Sequence, residues 1–237
     1  MTAPLLTAKN LSKRFGGVTA ISDVSISVAP RELKCIIGAN GAGKSSLFNI
    51  LCGALQADTG SLEFDGQNIS GIPLHRFARI GIARKFQVPS VFDSLTVENN
   101  LTVAIRGRLS RAEIQERVTD VLRLVELEPL RQQIAGNLAH GQKQWLEIAM
   151  AFTAKPRLLL LDEPTAGMTS DETQRTVTLV HRLTEGTAVL AIEHDMSFVR
   201  ALRCHTVVMH QGRILVEGPF SDIEKNGLVR DVYLGRT

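Results

Sequence analysis

Apolar positions fall two apart over residues 5–10 and again over Ile21-Ser22-Asp23-Val24-Ser25-Ile26-Ser27-Val28, the period of strands that bury one face only. Leu62-Glu63-Phe64-Asp65-Gly66-Gln67-Asn68-Ile69 repeats that alternation around Asp65-Gly66, a tight-turn dipeptide. Together these stretches predict a small antiparallel sheet. A second pattern is continuous rather than alternating: Leu33 with Cys35, Ile36 and Ile37, then Leu158-Leu159-Leu160-Leu161, then Ala188-Val189-Leu190-Ala191-Ile192. Such runs suit central strands of a parallel sheet, covered by helices on both faces. Thr206-Val207-Val208-Met209 and Ile214-Leu215-Val216 flank His210-Gln211-Gly212-Arg213 as a hairpin.

Helical signals fill the intervals. Ser46 to Cys52 has helical composition and is closed by Gly53, and residues 171–184 read as a helix after the leucine strand. From 88 to about 135 no convincing strand occurs. There Thr96 opens one helix, and 110–127 is amphipathic, with Ser110 as N-cap, Glu113 three residues on, and Ile114, Val118, Val121, Leu122 and Val125 as the apolar stripe. The expected architecture is a single α/β domain over 1–237. Residues 1–87 and 136–237 would form a parallel core sheet with an antiparallel β part, and 88–135 an inserted helical subdomain. No long linker, low-complexity tract or internal repeat interrupts it.

Composition narrows the function classes. With 237 residues, 44% hydrophobic and 22% charged, the chain is an ordinary globular sequence able to bury a substantial core. No run approaches the length of a bilayer span, and Met1-Thr2-Ala3-Pro4-Leu5-Leu6 has neither the basic region nor the apolar stretch of a secretory signal. Membrane association is therefore expected only through a partner. Cys35, Cys52 and Cys204 are widely spaced among apolar neighbours and read as small core residues in a reducing compartment, not as metal ligands. The net charge of +3 is spread over short clusters, Lys13-Arg14, Arg84-Lys85 and Arg106 to Arg111, which read as solvated faces and not as a nucleic-acid track.

The candidate chemistry begins at Gly38-Ala39-Asn40-Gly41-Ala42-Gly43-Lys44-Ser45, which fills every fixed position of GxxxxGK[ST] and lies between a predicted strand and a predicted helix. Wrapping a polyphosphate takes several backbone N–H groups at once, and glycine at 41 and 43 lets that backbone come close. The helix that follows adds free N–H donors and its positive dipole end. Lys44 would neutralise the β- and γ-phosphates, and the Ser45 hydroxyl would ligate Mg²⁺. A second candidate is Asp162-Glu163 at the end of the leucine strand. Acids there are costly unless they serve a cation or a reaction, so Asp162 fits a Mg²⁺ role and Glu163 a general base or orienter of the attacking water. A third is Leu138-Ala139-His140-Gly141-Gln142, a glycine-bearing loop before an amphipathic helix, readable either as a second anion-binding N-terminus or as a capped helix.

In this order the motifs resemble those of the ATP-binding cassette ATPases, whose nucleotide-binding subunit carries a phosphate loop, a glutamine loop, a signature loop, an Asp-Glu strand and a switch histidine. The matching pieces are Gly38 to Ser45, Gln87 in Arg84-Lys85-Phe86-Gln87, Leu138 to Gln142, Asp162-Glu163-Pro164-Thr165, and His194 in Glu193-His194-Asp195. The resemblance covers essentially the whole chain and implies a P-loop NTPase fold. It also implies that Phe15 stacks on adenine, that Gly38, Ala39, Asn40, Gly41, Ala42, Gly43, Lys44, Ser45 and Ser46 cradle ATP, and that Ser45, Gln87 and Asp162 serve Mg²⁺. Glu163, Gln87 and His194 are then the catalytic set. Leu138, Ala139, His140, Gly141 and Gln142 would close over the ATP of an opposite subunit, so that one chain completes no site by itself.

Two positions depart from the family pattern: Ala139 stands where a serine touches the γ-phosphate, and Thr169 where many members have aspartate. Gly81 to Gln87, Ala166-Gly167-Met168 and the ending Val232-Tyr233-Leu234-Gly235-Arg236 look like the ATPase subunits of branched-chain amino acid-type importers. Within these, His140 to Ile148 is most similar to subunits that power urea uptake. The implied partners are permease subunits, a second copy or paralogous ATPase, and indirectly a solute-binding protein, with the chain held peripherally at the cytoplasmic membrane face. Two alternatives stay open: a soluble cassette ATPase acting on ribosomes or DNA, which usually carries two cassettes or long extensions, and a non-hydrolysing regulatory ATP binder.

Overall fold

A computed structural model describes residues 3–85, 91–105 and 107–234, with the backbone alone at 232–234. The chain opens with β1 (Leu6–Phe15) and β2 (Val18–Val28), an antiparallel pair. β3 (Leu33–Gly38) runs into the glycine-rich loop, and α1 (Lys44–Leu51) leaves it. β4 (Thr59–Phe64) and β5 (Gln67–Asn68) are joined by the Asp65-Gly66 turn, both residues having positive φ. Next come α2 (Leu74–Ile80) and β6 (Ile82–Lys85), then α3 (Val97–Ala104), α4 (Arg111–Leu124) and α5 (His140–Phe152). β7 (Leu158–Asp162), α6 (Ser170–Thr184), β8 (Ala188–Ile192) and α7 (Met196–Leu202) restore the strand–helix alternation. β9 (His205–His210), β10 (Arg213–Pro219), α8 (Phe220–Ile223) and α9 (Gly227–Leu234) complete the chain.

Among the described residues the strands form two sheets. One is antiparallel, in the order β2-β1-β4-β5; the other runs β10-β9-β3-β8-β7-β6, parallel except for β10. Both match the expected layout of a parallel core beside a small antiparallel sheet. β1 extends well past the alternation visible over residues 5–10. Its register shifts between Ala8 and Leu11, where Asn10 takes φ 51° and its side-chain amide donates to Asp23 Oδ1 at 2.8 Å. A bulge of this kind reverses which residues face inward, so period-two reading stops there.

The parallel sheet separates two cores. Leu159 and Leu161 of β7 face one side with Val118 and Leu122 of α4, Trp145 and Ile148 of α5, Val180 of α6 and Phe198 of α7. Leu158 and Leu160 face the other, with Leu47 and Phe48 of α1 and the inner face of the antiparallel sheet. All four leucines are fully buried, each contributing about 1.5–3 kcal/mol relative to exposure. Cys35, Cys52 and Cys204 are buried free thiols, as their apolar surroundings imply.

The helices between β6 and β7 start where polar signals place them. Thr96 Oγ1 accepts from Asn99 N–H at 3.1 Å, and Ser110 and Glu113 form a complete capping box. Asn100 is fully buried and closes the 92–96 turn, accepting from Phe92 N–H and donating to the Phe92 and Thr96 carbonyls. Val118, Val121, Leu122 and Val125 are buried as the stripe predicts, with Ile114 half-buried.

α2 and β6 carry no clear periodic signal. In β6, Lys85 is buried against Glu147 of α5 (3.5 Å) and Arg84, half-buried, pairs with Asp162 (3.4 Å), so an edge strand of the main sheet looks polar in sequence because its charges are neutralised from other elements.

Candidate nucleotide site

At the carboxyl ends of β3, β8 and β7, three adjacent parallel strands, the chain places the phosphate-loop motif, Glu193-His194 and Asp162-Glu163 respectively. This is the edge at which open α/β sheets bind ligands. Gly41 and Gly43 take φ 78° and 98°, which L side chains rarely adopt, and open space surrounds Gly41 where a β-carbon would stand. Gly43 is the N-cap of α1 with no side chain capping it, which leaves the first N–H groups of that helix for an anion. Ala39, Asn40, Gly41 and Ser45 are exposed, Ser46 is half-buried, and Ala42 is buried beneath them.

Lys44 is only 7% exposed, and its ammonium donates to the Gly38 and Ala39 carbonyls at 2.7 and 3.1 Å. Burial lowers its pKa while Glu163 and Asp162 oppose that shift, so the two acids face the loop lysine through space. The loop is also braced from outside. A β-carbon on Gly38 would meet the Met209 carbonyl oxygen at 2.5 Å, and one on Gly43 would collide with the Ala20 carbonyl. Gly212, in the β9–β10 turn, donates its N–H to Ala42 O at 3.0 Å and accepts from Ser22 N–H at 2.8 Å. Sequence reading gives Gly212 only as a turn residue; its contact with the loop joins segments that no local pattern connects.

Asp162 is 5% exposed. Burial raises its pKa, the Arg84 guanidinium opposing and Glu163 adding to the rise. Arg84 reaches Asp162 at 3.4 Å, Asn49 Oδ1 at 2.8 Å, and stacks over Phe48 with 4.9 Å to the ring centroid, tying β6 to β7 and α1. Arg84 belongs to the Arg-Lys-Phe-Gln motif, yet nothing local marks it as the partner of Asp162.

Glu163 sits in the left-handed region at φ 45°, an uncommon conformation for a non-glycine residue and one that concentrates at functional sites. It turns its carboxylate to His194, whose Nδ1 is 3.3 Å from Glu163 Oε1, and His194 is more than half exposed. Behind them Glu193, buried, accepts from Thr165 N–H and Oγ1 at 3.2 and 2.8 Å, holding the chain after Glu163 against the strand that delivers His194.

Phe15 ends β1 at 50% exposure beside Val18, also exposed, and Lys13 Nζ lies 5.8 Å from its ring centroid. A flat apolar face left in solvent suits a stacking ligand. Gln87 lies outside the described residues, as does Phe86.

The expected loop before α5 proves shorter than its sequence suggests. α5 begins at His140, so Gly141 and Gln142 lie in its first turn and Ala139 is the N-cap. Gln142 Oε1 accepts from Ala139 N–H at 3.0 Å, which is half of a capping box; the other half is missing because alanine has no acceptor. Leu138 is buried beneath, while Ala139 and His140 are exposed. Among the described residues no hydrogen bond or ion pair joins Leu138–Gln142 to the phosphate loop, whereas the loop, Asp162, Glu163 and His194 converge on one sheet edge.

The sequence model of the ABC transporter family matches residues 21–166. The chain belongs to that family. BraF of Pseudomonas aeruginosa, a high-affinity branched-chain amino acid transport ATP-binding protein, is 37% identical over 99% of both chains. The ADP conformation of MJ1267, an ATP-binding cassette of an ABC transporter, superposes with a TM-score of 0.87 at 31% identity, over 99% of this cassette and all of that chain. The dimeric structure of MJ0796, a bacterial ABC transporter cassette, gives 0.80 at 25% identity over 90% of this cassette and 98% of that one. The cassette is thus a P-loop ATP-binding domain homologous to transport ATPases.

Proposed function

We propose that this cassette is the ATP-hydrolysing subunit of a solute importer, closing head to tail on a second ATPase chain around MgATP and reopening after hydrolysis. The observation that carries hydrolysis, as against passive binding, is the Glu163–His194 pair at 3.3 Å beside the phosphate loop. Glu163 would take a proton from the attacking water, and His194 would hold that carboxylate and meet the γ-phosphate. Lys44, already stripped of water, would exchange its two carbonyl partners for phosphate oxygens. Ser45 and Asp162 would hold Mg²⁺ together with phosphate and water; among the described residues no cluster of three acidic, His or Cys side chains forms a metal site of its own. When bound, Mg²⁺ would neutralise charge developing on the β- and γ-phosphates.

The permease would dock where the helices after β6 meet the sheet. A groove of about 490 Å³ opens there between α2, α3 and α5, and its rim carries Leu74 and Val103, 49% and 58% exposed. Apolar side chains left in solvent beside an open groove favour a protein partner. Among the described residues no helix is long and apolar enough to cross a membrane, so such a partner would supply the membrane contact. The cargo class is that of branched-chain amino acid importers, with urea as the finer reading, resting on the His140 to Ile148 segment.

Glu163→Gln tests the mechanism: ATP binding should persist, hydrolysis should nearly vanish, and sizing chromatography with ATP should show a dimer. Normal turnover would overturn the assignment. Transport of urea against leucine by the cassette reconstituted with its permease decides the cargo.

A further inference from the structure

The segment around Ala139–Gln142 and the loop after Glu163 are held together by two reciprocal contacts. In one direction His140 reaches the second loop: its Nε2 lies 2.9 Å from the Ala166 carbonyl, and a β-carbon on Gly167 would stand 3.0 Å from that same nitrogen. In the other, Glu172 of α6 reaches back: its carboxylate occupies the space where a β-carbon of Gly141 would be, so a side chain there would push the carboxylate away. Glu172 Oε2 also accepts from Thr169 N–H and Oγ1 at 2.9 and 3.0 Å, which pins the carboxylate to the end of its own loop. Thr169 and the Ala139 end of α5 are thereby bridged by one side chain.

Ala139 gives such a bridge a use: as N-cap of α5 it offers no side-chain acceptor to the N–H groups of the first turn, and a carboxylate from another element is one that can complement that helix end. The Glu172 carboxyl is held below its usual range, chiefly by the Thr169 backbone N–H and, more weakly, by the His140 ring and the Gly141 N–H.

We infer that Glu172 is a positioning residue: with His140 it clasps the start of α5 to the 165–169 loop, so that the segment a dimer would present to the second chain's ATP moves as one body with the loop that follows Glu163. This rests on the head-to-tail reading above. It places Glu172 in ATP-driven closure and not in binding at the chain's own phosphate loop, from which no hydrogen bond or ion pair reaches it among the described residues.

The test uses Glu172→Ala and Glu172→Gln, each alone and combined with Glu163→Gln. In nucleotide-free protein, hydrogen exchange at the start of α5 and at 165–170 should rise together in Glu172→Ala, with the phosphate-loop peptides unchanged as a control for folding. Titration with a fluorescent ATP analogue at low protein concentration should give the same Kd as the parent. In the Glu163→Gln background, the ATP concentration giving half-maximal dimer should rise about tenfold, the loss of one charge-assisted contact. Glu172→Gln, which keeps one acceptor oxygen, should recover most of that. Unchanged exchange in the two segments, or unchanged dimerisation, overturns the clasp. Failure of Glu163→Gln alone to dimerise would instead overturn the head-to-tail reading, and the exchange measurement would still decide the clasp.

Discussion

Replacing Gly212 by alanine should loosen ATP as well as destabilise the protein, and the chain supplies its own control. Gly66 and Gly212 occupy equivalent hairpin turns, at φ 74° and 76°, each preceded by a left-handed residue, Asp65 at 52° and Gln211 at 47°. An alanine at either position bears the same left-handed strain, ~1–2 kcal/mol. At Gly66 the new methyl enters open space; at Gly212 it stands 2.8 Å from the Ala20 carbonyl oxygen. Relief of that contact moves the turn away from β2 and stretches the Gly212 N–H bond to Ala42 O, whose net worth is about 0.5–1.5 kcal/mol. That energy must be restored when phosphate orders the loop, so the Kd for ATP should rise about two- to tenfold in Gly212→Ala and stay unchanged in Gly66→Ala. Gly66→Ala should lower Tm by about 2–8 °C, and Gly212→Ala by more. Titration with a fluorescent ATP analogue beside thermal melts reads both quantities. Equal ATP affinity in the two variants would refute the bracing of the phosphate loop by this turn.

Lys44→Ala should weaken ATP about ten- to hundredfold, the loss of a charge-assisted contact, and the same titration checks it. Lys85→Met should destabilise by about 3–5 kcal/mol, because it removes the ammonium paired with buried Glu147; adding Glu147→Leu should recover most of the loss in urea melts. The Glu98 carboxyl, hydrogen-bonded first by Arg131 and also by Gln132 and Gln115, is held down to about 2 from 4.5. A depressed folded pKa stabilises above 4.5 and loses that contribution as pH falls toward 2. The stability gap between the parent and Arg131→Met, read in urea melts, should therefore shrink over that window, and a constant gap would refute the pairing.

Features governed by neighbours in sequence were legible beforehand. The leucine run of β7, the Ser110–Glu113 cap and the glycine-rich loop each depend on a few consecutive residues, and each stands where its pattern implies. β6 was not legible, because Arg84 and Lys85 become strand residues only once Asp162 and Glu147 neutralise them across the fold. β1 was readable to the bulge at Asn10 and no further. In the site, the motif residues were visible one by one. The bracing by Gly212, the reach of Arg84 to Asp162 and the seat of Glu172 against Gly141 are long-range contacts that no local pattern encodes.

The division of the interior by the parallel sheet bears on how such a cassette diversifies. Of the helices that would face a permease, α3 and α5 rest on one core, while α2, through Phe77, shares the other with the antiparallel sheet that carries Phe15. Substitutions in different cores share few partners, so their energetic effects should add rather than couple. A lineage is then free to remodel the α3 and α5 side of the docking face for a new cargo route while inheriting the half that carries Phe15 unaltered.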